Sequence, residues 1–204
     1  MTIRLHRGDL PNLSRYTGAV AIDTEAMGLD PRRDRLCVVQ LSPGDGSADV
    51  VQVPPGGGDA PNLKRLLADV SVLKIFHFAR FDVGILFQTF GIMATPIYCT
   101  KIASRLARTY TDKHGLKDLV RELTGADLSK QQQLSDWGGE QLSDAQIAYA
   151  ASDVLHLHAV KAKLDVMLAR EGRQDFAAAC FRFLPDRVRL DLAGWAQEDI
   201  FAHS

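Results

Sequence analysis

The sequence predicts an α/β protein built on one mixed sheet, an antiparallel meander first and parallel strands after it, flanked by helices. Three features of the chain point to this. The apolar, β-branched runs Ala19–Ile22, Leu36–Ser42 and Ala48–Val53 follow one another across short turns, the pattern of an antiparallel meander. From Lys74 onward, short strand-like runs alternate with helical ones. Behind Ser143, a stretch from Asp144 to Arg170 spaces its apolar residues by three and four, which predicts one long helix.

Taken in order, Ile3–His6 reads as a short strand before a turn around Gly8 and Pro11. The run from Ala19 ends on polar residues at Asp23, and GLDPRRDR after it is an arginine-rich turn. SPGDGSAD separates the second and third strands. Pro54–Asn62 is a flexible connection, and Asn62 is placed to cap a helix through Leu63, Leu66 and Leu67. Lys74–Phe78 is a strand, followed by a helix from Ala79 to Phe90 that Gly91 closes. IYCT is a further strand. KIASRLAR and GLKDLVRELTG are helical, the latter with leucines at 116, 119 and 123, and SKQQQLSDWGGEQ is a polar loop. There is no G-x-G-x-x-G and no P-loop, and the glycines at 56–58 follow Pro-Pro as a turn.

The 204 residues are expected to form one domain, 1–204. Residues 181–204 mix aromatic, leucine and charged residues, and read as a subunit-contact tail or as a tail packed back on its own domain. A composition of 46% hydrophobic and 24% charged residues is that of a globular protein. Its net charge of −1 argues against a protein that grips long nucleic acid by the backbone, since that affinity comes from a basic excess. Cys37, Cys99 and Cys180 lie far apart in apolar surroundings and are expected to be buried free thiols. With no apolar signal core and no apolar run of bilayer length, a cytoplasmic protein with no membrane contact is expected.

The chemistry starts at Asp23 and Glu25. In an extended strand residues two apart point the same way, so two carboxylates stand side by side and repel unless a cation lies between them. A D-x-E pair also occurs by chance. Asp82, in HFARFD at the first turn of a helix, has an ordinary role in complementing the helix dipole. Tyr149 and Asp153 share a helix face at i and i+4, which fits an interface tyrosine beside a solvated aspartate equally well.

Together, D-x-E at a strand end, F-D at a strand-to-helix junction and Y-x-x-x-D on a late helix resemble the DEDD exonuclease superfamily, in its tyrosine subclass and ribonuclease D branch. KIFHFARFDVGIL and DWGGEQLSDAQIAYAASDVLHL carry that resemblance beyond the motifs. CTKIASRL, SKQQQLSDW and GWAQEDIFAHS resemble the compact nanoRNase C group of that branch, which degrades dinucleotides and lacks C-terminal helical nucleic-acid-binding domains. The resemblance implies a ribonuclease H-like exonuclease fold, a homo-oligomer in an octameric ring, and 3′→5′ hydrolysis of dinucleotides and very short RNA. General trimming of longer or structured RNA or of DNA 3′ ends is the alternative, and a catalytically dead nucleic-acid-binding scaffold a further one. Phe78 stands where proofreading members carry Asn, and Ala148 where the histidine subclass carries His.

By the same resemblance Asp23, Glu25, Asp82 and Asp153 hold two divalent cations, Mg²⁺ or Mn²⁺, and Tyr149 orients the attacking water. The backbone of Thr24, Glu25, Ala26 and Met27 borders the 3′ nucleotide. Leu29 is apolar in a polar turn and wedges between two bases, or folds onto the core. His77 is a further expected substrate contact. Donors for a 5′-phosphate are sought among Thr100, Lys101, Ser104, Arg105, Arg108, Lys113, His114, Lys130 and Ser135.

Overall fold

Alternation along the strands decides which side chains reach which face, and two layers of helices cover the two faces. A computed structural model of the chain describes residues 2–129, 131–132 and 134–203; Lys130 lies outside them. The strands are β1 (Thr2–Arg7), β2 (Ala19–Ala26), β3 (Leu36–Ser42), β4 (Ser47–Gln52), β5 (Leu73–Phe76) and β6 (Ile97–Cys99), in the sheet order β1-β4-β3-β2-β5-β6. β2, β3 and β4 pair antiparallel as the expected meander. β5 joins β2, β6 joins β5 and β1 joins β4, all parallel.

Val20 and Ile22 point to one face with Val39, Leu41 and Val51, whereas Ala21 points to the other with Val38, Val50 and Ile75. The first face is covered by α1 (Pro61–Ala68), α2 (Ala79–Phe90) and α7 (Gln174–Leu190) through Leu63, Leu66, Val83, Leu86, Leu184 and Val188. The second is covered by α3 (Thr100–Ala107), α4 (Leu116–Thr124), α5 (Asp144–Leu155) and α6 (Leu157–Arg170) through Ala103, Leu119, Ala151, Val154, Val160 and Leu164. Each fully buried leucine or valine adds about 1.5–3 kcal/mol by leaving water.

Three expectations are corrected. Asn62 does not cap α1 but lies inside it; the first free N–H groups, of Asn62 and Leu63, are taken by the carboxylate of Asp9, both at 2.8 Å. The helix expected over 144–170 is two helices. Ser143 and Gln146 form the capping box that opens α5, but at His156 the amide turns to the Val154 carbonyl and the ladder breaks. The break lets α5 cross β2, β3 and β4 while α6 runs against α3 and α4. The start of the 181–204 segment follows the second of its two expected readings and packs back on its own domain, with Leu184 and Val188 buried against α2. Beyond Asp191 the chain folds back, with Arg80 and Arg187 gripping Asp191 and the carbonyls of Trp195 and Ala196. Cys37 and Cys99 are buried, but Cys180 is exposed.

β1 is fastened to the sheet edge by Asp49, a buried carboxylate on β4. Its Oδ1 meets His6 Nε2 at 2.9 Å, and its Oδ2 accepts from Arg15 at 2.8 Å and from the Tyr16 hydroxyl at 2.6 Å. Removing that acceptor strands three buried or half-buried polar groups. Asp49→Ala is therefore expected to cost about 3 kcal/mol, a drop in Tm on the order of 10 °C by thermal melt, with m-value and secondary structure unchanged.

Candidate active site

β2 delivers the first carboxylates to the end of the sheet. Asp23 and Glu25 follow Ala21 in the alternation, so they face α5 and α6; Thr24 follows Ile22 and faces α2. The β2–β3 register slips between Glu25 and Ala26, which ends regular pairing just beyond the two acids. α5 lies over this face and presents Tyr149 and Asp153 one turn apart. Oxygens of Asp23, Glu25 and Asp153 then lie within 4.8 Å of one another. Tyr149 lines the same cleft as Asp153 one turn away, and its ring packs against Trp137 at 6.0 Å between centroids.

Asp82 arrives from the opposite face. It sits in the first turn of α2, 3% exposed, and its Oδ1 accepts from Thr24 Oγ1 at 2.6 Å. The single point expected to gather four carboxylates gathers three of them. The fourth, Asp82, is held beside them by Thr24, near enough for its charge to act on Glu25 and for that of Asp23 to act on it. The turn into α2 is made by Phe78, whose φ of 69° is left-handed backbone, costing a non-glycine residue about 1–2 kcal/mol. Strain of that kind is found where a fold over-determines a functional geometry.

Burial and mutual repulsion oppose ionisation throughout the cluster. Desolvation, then the charges of Asp23, Asp153 and Asp82, push Glu25 up to about 9. Asp23, Asp82 and Asp153 are all driven upward, in each case first by burial. The Tyr149 phenol is also raised, by burial and then by Asp153, so it keeps its proton. Against this, Gln40 donates from Nε2 to Asp23 Oδ2 at 2.7 Å, directly across the β2–β3 pair. Gln40 Oε1 is buried without a partner among the described residues. A set of hard oxygen donors carrying more negative charge than burial allows fits Mg²⁺ or Mn²⁺ better than any soft metal.

Asp23, Thr24, Glu25, His77, Tyr149 and Asp153 line a cleft of about 310 Å³, joined by Gly115, Leu116, Lys117, Asp118, Leu128 and Ser129. Of the expected substrate contacts, Thr24 and His77 are in its lining, the Thr24 hydroxyl being turned away to Asp82. Ala26, Met27 and Leu29 lie on the strand end and turn beside it, with Met27 62% and Leu29 88% exposed. Lys101 stands over the Phe78 ring, 4.4 Å from its centre. Thr100 and Ser104 are fully buried and are corrected as direct contacts. The Thr100 hydroxyl serves Phe76 and His77, and Ser104 Oγ serves Arg108 and His114. Arg108 is itself buried and committed to Glu122 and the Lys113 carbonyl. Sequence reasoning missed Gln40, whose one signal is a lone amide inside the apolar run LCVVQLS, and Lys117, which stands out from no other lysine in sequence.

The raised carboxylates set a pH dependence. Their folded forms hold protons to higher pH than the unfolded chain does, so unfolding releases protons between the two values and is favoured as pH rises. Protein stripped of divalent metal is expected to lose stability steadily from about pH 4.5 to pH 9, the span from the ordinary to the folded value for Glu25. Melting curves in chelator across that range read this, and added Mg²⁺ flattens the slope.

A family model described as a 3′-5′ exonuclease matches residues 9–169. NrnC from Brucella melitensis is 62% identical, with full coverage of both chains and a TM-score of 0.97. Its structures include one with bound Mg²⁺ and one bound to pGG, at 60% and 61% identity. Ribonuclease D from Gluconacetobacter diazotrophicus is 41% identical over 167 residues, 82% of this chain but 42% of the relative. Escherichia coli RNase D superposes with a TM-score of 0.76 at 28% identity, over 86% of this chain and 46% of that one. The chain thus spans less than half the length of the ribonuclease D relatives it matches. The sheet and helices form a ribonuclease H-like exonuclease fold. With most of its length matched by the family model, the chain belongs to the 3′-5′ exonuclease family, among its ribonuclease D and NrnC members.

Proposed function

We propose that the chain is a metal-dependent 3′→5′ exoribonuclease of the tyrosine subclass that hydrolyses dinucleotides and very short RNA to nucleoside 5′-monophosphates. The observation that carries this reading is the Asp23–Glu25–Asp153 cluster, with Tyr149 beside it in the lining of a cleft of about 310 Å³. Support comes also from NrnC, which has been captured with pGG, a two-base nucleotide.

Asp23, Glu25 and Asp153, with Asp82 beside them, would hold two divalent cations, Mg²⁺ or Mn²⁺, which when bound polarise the scissile phosphate and lower the pKa of the attacking water. Gln40 fixes one oxygen of Asp23 and so leaves the other toward the cleft. Tyr149 keeps its proton and orients the water through its hydroxyl; raised as it is, it does not act as the base. The Thr24–Met27 backbone borders the 3′ nucleotide, and exposed Leu29 is the wedge between bases. Lys117 in the cleft and Lys101 beside it replace buried Ser104 as candidates for the 5′-phosphate. The whole chain is one exonuclease domain, and exposed Trp195, Ile200 and Phe201 give its end an apolar surface for homo-oligomer contact, in a ring of eight. Among the described residues no helix is long and apolar enough to cross a membrane, and a cytoplasmic site of action fits two buried free thiols.

The test is hydrolysis of 5′-phosphorylated RNAs, from two nucleotides to lengths that overrun the cleft, with Mg²⁺ or Mn²⁺ and a matched DNA series. The rate is expected to peak at the dinucleotide. Asp23→Asn is expected to abolish turnover, and Tyr149→Phe to lower kcat about 100-fold with little change in KM. Rates that hold or rise with length would instead make the enzyme a general 3′ trimmer of RNA or DNA. Unchanged nucleic-acid binding in Asp23→Asn, with no cleavage by wild type, would make it a scaffold.

A further inference from the structure

His77 lines the cleft beside Asp23, Glu25, Tyr149 and Asp153, and its hydrogen bonding fixes what it can offer there. Nδ1 lies 2.9 Å from Thr100 Oγ1. Thr100 is fully buried, and its hydroxyl lies 3.1 Å from the carbonyl oxygen of Phe76. A hydroxyl has one proton and a carbonyl only accepts, so Thr100 donates to Phe76 and receives from His77. Nδ1 therefore carries the hydrogen, and Nε2 is left as a bare acceptor. Burial, with Lys101 nearby, takes the imidazole down to about 3, so the ring is neutral at working pH. With Nδ1 turned to the buried threonine, the opposite edge of the ring is the one on the cleft. Among the described residues nothing donates to Nε2.

An acceptor set among carboxylates selects its partner narrowly. Ionised phosphate oxygens and the ribose ring oxygen have no proton to give. Base amino groups differ from one nucleotide to the next. Ribose hydroxyls occur on every RNA unit, and the 2′ hydroxyl marks RNA from DNA. We propose that His77 Nε2 accepts a hydrogen bond from a ribose hydroxyl of the bound nucleotide, which makes His77 a specificity-determining residue and Thr100 the residue that positions it. This assignment rests on the exoribonuclease reading above.

The experiment compares wild type, His77→Ala, His77→Gln and Thr100→Val on three dinucleotides: the ribonucleotide, its 2′-deoxy form and its 3′-deoxy form. His77→Ala is expected to raise KM about tenfold on the ribonucleotide, the size of one neutral hydrogen bond. On the form lacking the recognised hydroxyl it is expected to cost nothing further, so the two deletions are not additive. The deoxy form that behaves this way identifies the hydroxyl as 2′ or 3′. His77→Gln, with an acceptor oxygen, is expected to recover part of the loss, and Thr100→Val to raise KM without changing fold or Tm substantially. Full additivity with both deoxy forms, in variants that melt as wild type does, overturns the assignment. Wild type inert on all three dinucleotides overturns the exoribonuclease reading itself.

Discussion

Three carboxylates with oxygens within 4.8 Å, in a site that burial has largely stripped of water, define what the rest of this molecule must supply. Like charges so close, in a low effective dielectric, repel by several kcal/mol, and the folded chain answers by keeping protons on them. Such an arrangement persists only when the scaffold over-determines it. Here the scaffold is a sheet whose central strand is paired with β5 up to Ala21 and with β3 through Asp23 and Glu25, so the strand that carries Asp23 is fixed where it enters the site. Gln40, across the pair, stabilises the charge that remains.

The other members are brought in by elements whose packing is decided elsewhere. α5 is opened by the Ser143–Gln146 capping box and held to the sheet by Ala150, Ala151 and Val154, which fixes the roll angle of Tyr149 and Asp153. The break at His156 lets α6 take a different direction without dragging α5 off the strands. Asp82 depends on the left-handed turn at Phe78, and the pleat of β2 sends Thr24 to meet it. The cleft wall beyond α3 is shaped by Arg108, a buried guanidinium that ties α3 to Glu122 on α4 and to the Lys113 carbonyl. These contacts are local consequences of period-two and period-3.6 patterning, and they converge on one place because the sheet's central strand ends there.

What was legible in the sequence was what is local. D-x-E on an apolar run, Y-x-x-x-D on a helix and F-D behind a strand each state their geometry within a few residues, and the meander followed from short turns. What was hidden depends on distance. Gln40 matters because of its register with Asp23, which no window of sequence reports. Asp9 caps α1 from 53 positions upstream of Asn62, so the local capping candidate was the wrong one. Ser104 and Thr100 look like phosphate donors in a basic stretch, but the helix turns their hydroxyls inward. Periodicity continues unbroken through His156, since both helices it joins have an apolar stripe, and only their different packing surfaces require the break.

The central claim is that the clustered acids hold protons in the metal-free fold and surrender them to divalent cations. Titration calorimetry of Mg²⁺ or Mn²⁺ into metal-free protein near neutral pH, repeated in buffers of different ionisation enthalpy, measures this directly. The account predicts saturable binding, with protons released to the buffer and a heat that changes with the buffer chosen. Binding with the same heat in every buffer, or no binding at all, would contradict it.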